Sequence, residues 1–356
     1  MSARRSAAWF AIASVVLVAC ANDLDREPLV KSPRILAIVT DPPEALPGQD
    51  VHVRVLAFDP MGRELHYAFR FCIDPAALLG GFTPDGSNGQ GVVQPICFPL
   101  RADHNTATVP GALTQAIATQ LPMYAAMGGI NADTATAVLA TVGLPLQIRV
   151  ALSAPDPAGV DAPVVSGLKL FGLTTRATRT TNPPYVFFSV GGSVFLGGVD
   201  PSSFECELFP FSDPPVFRGS VPDARPGHPD IHVARVALRP LDDPFQWMET
   251  YPYFDYSSGI QTGREGAYYS WFTTSDVNVP CMHSACHTIV EGDDTTQVSA
   301  TADPTDPSAL MQRDAVWELP STPGTYDLWL VVRDGHAGEA ACHTTIEVTA
   351  IAATAP

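Results

Sequence analysis

Two unlike stretches of this chain recur at one spacing, and that repeat constrains the fold more than any other feature. Pro47-Gly48-Gln49-Asp50-Val51-His52-Val53-Arg54-Val55 returns as Pro226-Gly227-His228-Pro229-Asp230-Ile231-His232-Val233-Ala234-Arg235-Val236. Leu146-Gln147-Ile148-Arg149-Val150 returns as Tyr326-Asp327-Leu328-Trp329-Leu330. Both pairs lie about 180 residues apart, as duplication of one domain requires. The 356 residues suffice for two domains, each with its own core, at roughly 150 residues per domain.

Each repeated segment alternates as a strand with one buried face. Val51, Val53, Val55 and Ala57 share a side, with His52 and Arg54 opposite; Leu65, Tyr67, Phe69 and Phe71 form a second such face. Tyr326, Leu328, Leu330 and Val332 form a third, and Asp334-Gly335 supplies the turn into a last strand around 341–348. With 34 prolines and only 16% charged residues, the chain suits short strands and many turns rather than long helices. Turns at this spacing, without strand–helix alternation, predict antiparallel sandwiches. Acids outnumber bases by 37 to 20, a net charge of −17, which argues against binding to a nucleic-acid backbone, since that needs clustered positive charge.

Asp41-Pro42-Pro43-Glu44, Phe58-Asp59-Pro60-Met61-Gly62 and Tyr67-Ala68-Phe69 resemble immunoglobulin-like or PKD-like modules. Pro323-Gly324-Thr325-Tyr326 through Arg333-Asp334-Gly335 is similar to their closing hairpin, with Tyr326 at the place of the corner tyrosine. Residues 33–349 together resemble envelope lipoproteins of the kind abundant in myxobacteria, a likeness that implies a fold and a location but no mechanism. The expected architecture is mainly β, two immunoglobulin-like antiparallel β-sandwich domains over 33–180 and 181–349, with a short tail at 350–356. The first domain carries a helical insertion at 111–143. Leu113, Ile117 and Leu121 predict a helix ending before Pro122; Asp133 is expected to cap a second that runs through Val138 and Leu139 to Val142, with Gly143 as its stop.

The N-terminus reads as an address. Arg4 and Arg5 precede a short apolar run from Ala7 to Ala19, the pattern of a secretory signal over 1–19 and too short for a membrane span. Leu17-Val18-Ala19-Cys20 resembles the lipobox of bacterial lipoproteins, which implies a diacylated Cys20 as the first mature residue. The other reading is an ordinary cleaved signal with a chance cysteine. Ala21 rather than Asp at the next position implies, by the same resemblance, export to the outer membrane. The mature charge becomes about −19, so an anionic lipid surface gives no help and the acyl anchor holds the chain to its membrane partner. Residues 20–32 form the tether.

Six cysteines remain: Cys72, Cys97, Cys206, Cys281, Cys286 and Cys342. An even count in an exported chain predicts disulfides, and position suggests Cys72 with Cys97, Cys281 with Cys286, and Cys206 with Cys342. Cys206 is expected near the first strand of the second domain, as neighbour to the last. The alternative is a zinc, copper or redox site at Cys281, His283, Cys286 and His287, joined by His343 beside Cys342. Disulfide and metal readings exclude one another at this loop.

No H-E-x-x-H, G-x-S-x-G or phosphate-binding glycine loop occurs, and Gly191-Gly192-Ser193 reads as a turn. His52 and His232 hold equivalent repeat positions, which suits a shared strand role better than a catalytic pair. Asp293, Asp294, Asp303 and Asp306 make an acidic loop without EF-hand spacing. Trp247, Tyr251, Tyr253, Phe254 and Tyr256 form an aromatic cluster that either plugs the second domain or, if exposed, meets a glycan or a protein partner. The expectation is a non-enzymatic envelope scaffold without cofactor, its alternatives a metal or redox protein and a glycan- or surface-protein-binding module.

Overall fold

The computed structural model describes residues 30, 32–73, 95–127, 131–155, 161–197, 203–219, 234–255, 259–274, 289–291, 295–298, 314–320 and 322–350. The first half comprises β1 (Arg34–Asp41), β2 (Glu44–Ala45), β3 (Val51–Phe58), β4 (His66–Ile73), β5 (Ile96–Leu100), β6 (Ala102–Asp103) and β7 (Thr106–Val109). Helices α1 (Gly111–Met127) and α2 (Ala132–Thr141) follow, then β8 (Leu144–Pro155) and β9 (Asp161–Leu173). One sheet runs β1-β3-β7-β6 and a second β2-β9-β8-β4-β5. The alternating Val51, Val53 and Val55 meet Phe69, Phe71, Ile148 and Val150 in one dry core.

The second half begins with β10 (Val186–Val190), β11 (Ser193–Gly197), β12 (Glu207–Leu208), β13 (Val216–Arg218) and β14 (Arg235–Pro240). It continues with β15 (Thr250–Asp255), β16 (Gly259–Arg264), β17 (Ala267–Thr273), β18 (Ile289–Glu291), β19 (Thr295–Val298), β20 (Ala315–Glu318), β21 (Gly324–Arg333) and β22 (Glu339–Thr349). Its sheets run β12-β11-β10-β14-β20-β18 and β13-β22-β21-β17-β19, with β15-β16 a separate ribbon. Trp271, Trp317, Phe188 and the predicted face of Tyr326, Leu328, Leu330 and Val332 fill the core between them.

The repeat appears in the strand ladders. β3 lies between β1 and β7 as β14 lies between β10 and β20, and β8 lies between β4 and β9 as β21 lies between β17 and β22. Leu144 pairs with Leu173, which pairs in parallel with Ala45; Gly324 pairs with Val348, which pairs in parallel with Phe217. These two short parallel pairs are the departures from antiparallel order among the described ladders. The architecture is two immunoglobulin-like sandwiches. Tyr326 donates its hydroxyl to the Thr322 carbonyl at 2.8 Å, the bond of a tyrosine corner. Gly191 and Gly192, both at positive φ, close the β10–β11 hairpin between Val190 and Ser193, a turn only glycine adopts without strain.

The helical insertion differs in two details. α1 continues through Pro122 to Met127. Burial of Ile117 and Leu121 against the core offsets the lost hydrogen bond, and good helix formers follow the proline. α2 is capped by Asn131, whose side chain accepts the Asp133 N–H at 2.8 Å; Asp133 lies inside the first turn, where its charge suits the helix dipole. Gly143, at φ +87°, ends the helix as expected. Among the described residues no helix is long and apolar enough to cross a membrane.

Candidate functional site: the seam and cleft between the sandwiches

Much of the outward faces of β1, β3, β17, β21 and β22 is covered between the sandwiches, while His52, Thr345 and Glu347 on them stay exposed. Leu36, Ala37, Val39 and Leu56 from the first sandwich pack with Phe272, Trp329, Val331 and Ala341 from the second, and Val30 joins them through an N–H to the Thr273 carbonyl at 2.9 Å. The Trp329 ring lies 4.7 Å from Phe58 and 5.3 Å from His343. The strands involved read Leu36-Ala37-Ile38-Val39 and Leu328-Trp329-Leu330-Val331-Val332. Runs without a polar face mean burial on both sides.

A polar layer lies beside this apolar one. Glu44, at the start of the first sandwich, accepts from Arg176 at 2.6 Å and from the Thr180 N–H at 2.8 Å, and faces His336 of the second at 3.3 Å. Burial works to raise its pKa, but His336, Thr180 and Arg176 together outweigh burial and hold it below the usual range. Lys169 of β9 pairs with Glu339 of β22 at 2.8 Å. Arg333 pairs with the same Glu339 at 3.0 Å and donates to the Leu36 carbonyl. Asn182, in the connection, donates to the Thr40 carbonyl and accepts the Glu339 N–H. Buried charges in this seam are paired, as low dielectric requires.

Two acids under the β21–β22 turn behave differently. Asp334 accepts the N–H groups of His336, Ala337 and Gly338, yet burial dominates and raises its pKa. Glu265 accepts only the Glu249 N–H, at 2.9 Å, while its Oε1 is buried without a partner. Burial and the neighbouring Asp334 push Glu265 up to about 8.

Where the polar layer opens to solvent, a cleft of about 640 Å³ lies between the sandwiches, its walls including Asp41, Pro42, Arg54, Arg179, Asn182 and Ser203. Arg179 donates to the Gln49 amide oxygen at 2.8 Å. Arg54 lies over the Phe204 ring at 4.7 Å. The lining presents hydrogen-bonding groups and fixed cations, with no nucleophile–base pair among the described residues.

The cysteines pair as Cys72–Cys97 and Cys206–Cys342. Cys72 and Cys97 are direct cross-strand partners on β4 and β5. Cys206 meets Cys342 beside Gly197, the cross-strand partner of Val186 in β10, where Glu205 bridges in parallel to His343 on β22. His343 on the same strand is held by two carboxylates. It sits between Asp327, at 2.8 Å, and Glu205, at 3.0 Å. Burial lowers its pKa, but the two carboxylates outweigh that and raise it. No group of three or more ligating side chains among the described residues could hold a metal ion. Cys20, Cys281, His283, Cys286, His287, His232 and the four acids of the 293–306 loop lie outside the described residues.

The aromatic cluster divides. Trp247 is core, its indole N–H donating to the buried Asp242 at 3.0 Å, so it leaves the candidate surface. Tyr251 stacks on the His336 ring at 3.9 Å. Tyr253 is 42% exposed on the β15–β16 ribbon. Phe254 lies on β15 with its side chain undescribed, and Tyr256 lies outside the described residues. His52 is exposed on β3, 3.3 Å from the Thr108 hydroxyl, with Asp41 of β1 as its cross-strand neighbour. The seam residues are what sequence reasoning missed.

Fold and seam together define a tandem of immunoglobulin-like sandwiches joined face to face. No protein-family model matches the chain, and no curated protein matches it. Among solved structures, native Escherichia coli alpha-2-macroglobulin is similar over 90% of this chain and 17% of its own, at 8% identity and a TM-score of 0.21. Murine CEACAM1b is similar over 89% of this chain and 100% of its own, at 9% identity and a TM-score of 0.17. The Yersinia pseudotuberculosis adhesin InvE is similar over 88% and 58%, at 9% identity and 0.18. The chain spans about a fifth of the length of the alpha-2-macroglobulin chains it matches. At these scores the likenesses leave the fold resting on the strand ladders.

Proposed function

We propose that this protein is a lipid-anchored, non-catalytic scaffold of a bacterial envelope, held to the outer membrane through Cys20. The observation that carries the scaffold reading is the seam: buried Trp329, Leu56 and Val331 with the Glu44–Arg176 and Lys169–Glu339 pairs resist hinging between the sandwiches. A fixed two-domain body suits presentation or spacing rather than domain closure. Two disulfides support maturation in an oxidising compartment. Seating of Val30 in the seam gives the tether a fixed exit from the body. Expression of wild type and Cys20→Ser tests the anchor: the wild type is expected in the outer-membrane fraction with acyl mass, the variant in the soluble fraction. Identical fractionation without acyl mass sinks the anchor.

A second reading, a protein or glycan partner at the β15–β16 ribbon, is favoured by exposure of Tyr253 and Ile260. The metal or redox reading of Cys281, His283, Cys286 and His287 is decided by intact mass before and after reduction, with metal analysis. Three disulfides and no metal end it.

A further inference from the structure

We infer that this chain associates head to tail with a second copy of itself, the open sheet face of the first sandwich receiving the 207–216 corner of the second. The register across β9, β8, β4 and β5 sets Leu168, Arg149, Arg70 and Pro99 in one row on the outward face. Arg70 and Arg149 are thus direct cross-strand neighbours, both exposed. Like charges so placed repel. Among the described residues no carboxylate pairs with either; Arg149 reaches only the Gln147 amide oxygen, at 3.4 Å. Glu64 lies outside β4, and His66 and Ser153 are the polar groups further along the face. Leu168 and Leu170 are 57% and 37% exposed beside the guanidiniums. Ala68, Ala151 and Ser166 form the next row, which keeps the face flat and open to close approach.

The chain carries the complement on its other sandwich. Leu208, Phe209, Phe211 and Val216 are exposed in one short segment, Phe211 at 94%. Glu207 and Asp213 stand among them, exposed and without a partner among the described residues; Arg218, beyond the apolar stretch, is the one cation in 203–219. The corner is built rather than loose. Ser212 donates its N–H to the Phe209 carbonyl at 2.8 Å, and its hydroxyl accepts the Val194 N–H at 3.1 Å. Two carboxylates flanking apolar side chains match two unneutralised guanidiniums flanked by leucines, and guanidinium–carboxylate pairing adds direction to apolar burial. The two patches are both exposed within one chain, so they do not satisfy each other there. A contact between different patches of identical copies is heterologous, and it propagates.

The test uses residues 20–356 with Cys20→Ser, which makes it independent of the anchor. Molar mass by light scattering is expected to rise with concentration and to fall back with added salt. A face variant (Arg70→Glu with Arg149→Glu) and a corner variant (Glu207→Ser, Phe211→Ser and Asp213→Ser) each weaken association at least about tenfold. Mixed in equal amounts, they form a one-to-one dimer that grows no further, because each copy retains one intact patch. All these side chains face solvent, so unchanged melting curves check the fold, and Phe211→Ser alone serves as a milder variant. A monomeric wild type at every concentration overturns the inference. So does a variant that still assembles alone, or a mixture that stays monomeric while the wild type associates.

Discussion

Replacing Glu265 by glutamine is expected to stabilise this protein at pH 8.5 and to leave it unchanged near pH 4.5. The carboxyl is buried, with one oxygen accepting the Glu249 N–H and the other without a partner, and its pKa rises from 4.5 to about 8. The sign follows from proton counting. Between those values the folded carboxyl keeps its proton while the unfolded one has released it, so stability falls as pH rises through the interval and levels off above it. At about 1.4 kcal/mol per pH unit, discounted for water reaching a group at a domain junction, the loss amounts to roughly 3–4 kcal/mol. Glutamine is neutral throughout and keeps an oxygen for the Glu249 N–H. Urea denaturation at half-unit steps from pH 4.5 to 9, for wild type and Glu265→Gln, reads the difference directly. Parallel pH profiles for the two proteins refute the argument from burial.

His343 also loses stabilisation as pH rises, but because its charged form is paired rather than because a charge is buried alone. Its pKa is raised by Asp327 and Glu205, so its contribution is complete below the unfolded value of 6.5 and disappears as pH climbs through the folded one. The stability gap between wild type and His343→Gln is expected to close at alkaline pH, and a gap constant from pH 5 to 9 denies the ion pairs. Trp329→Ala removes the largest side chain of the seam and is expected to cost about 3–5 kcal/mol. Calorimetry then shows two melting transitions where the wild type shows one; a single unshifted transition means the seam is not what couples the sandwiches. Tyr326→Phe removes the hydroxyl that donates to the Thr322 carbonyl, and an unfolding free energy lowered by about 1 kcal/mol in urea is expected, against no change if the corner is incidental.

Strand faces were legible because a half-buried strand writes its environment into alternate residues. Val51, Val53 and Val55 are fully buried while His52 between them is exposed. The duplication was legible for a related reason: β8 and β21 do the same work at the centre of equivalent sheets, so their patterns stay alike. Helix ends were less so. Asn131 and Asp133 are both competent caps, and the choice between them depends on which backbone N–H groups the turn after 130 leaves open. Pro122 stops a helix in isolation, but Ile117 and Leu121 dock on a core that local sequence does not describe.

The seam carried a signal in a form that single-strand reading passes over. Leu56 breaks the alternation of β3 on the very face of His52 and Arg54, and Trp329 and Val331 fill what a free-standing β21 would give to water. Such residues announce a second buried face without naming its partner, because the partner lies hundreds of residues away in sequence. The ion pairs were less visible still. Of the chain's two lysines, Lys169 sits amid the apolar stretch of β9, and only the approach of β22 turns it from an isolated buried charge into half of a pair with Glu339. Glu44 looks like an ordinary loop acid until Arg176 and Thr180 from the connection and His336 from the β21–β22 turn converge on it. A lone charge within an apolar run is therefore the sequence mark of a junction, since burying it is tolerable only where another element supplies the counter-charge.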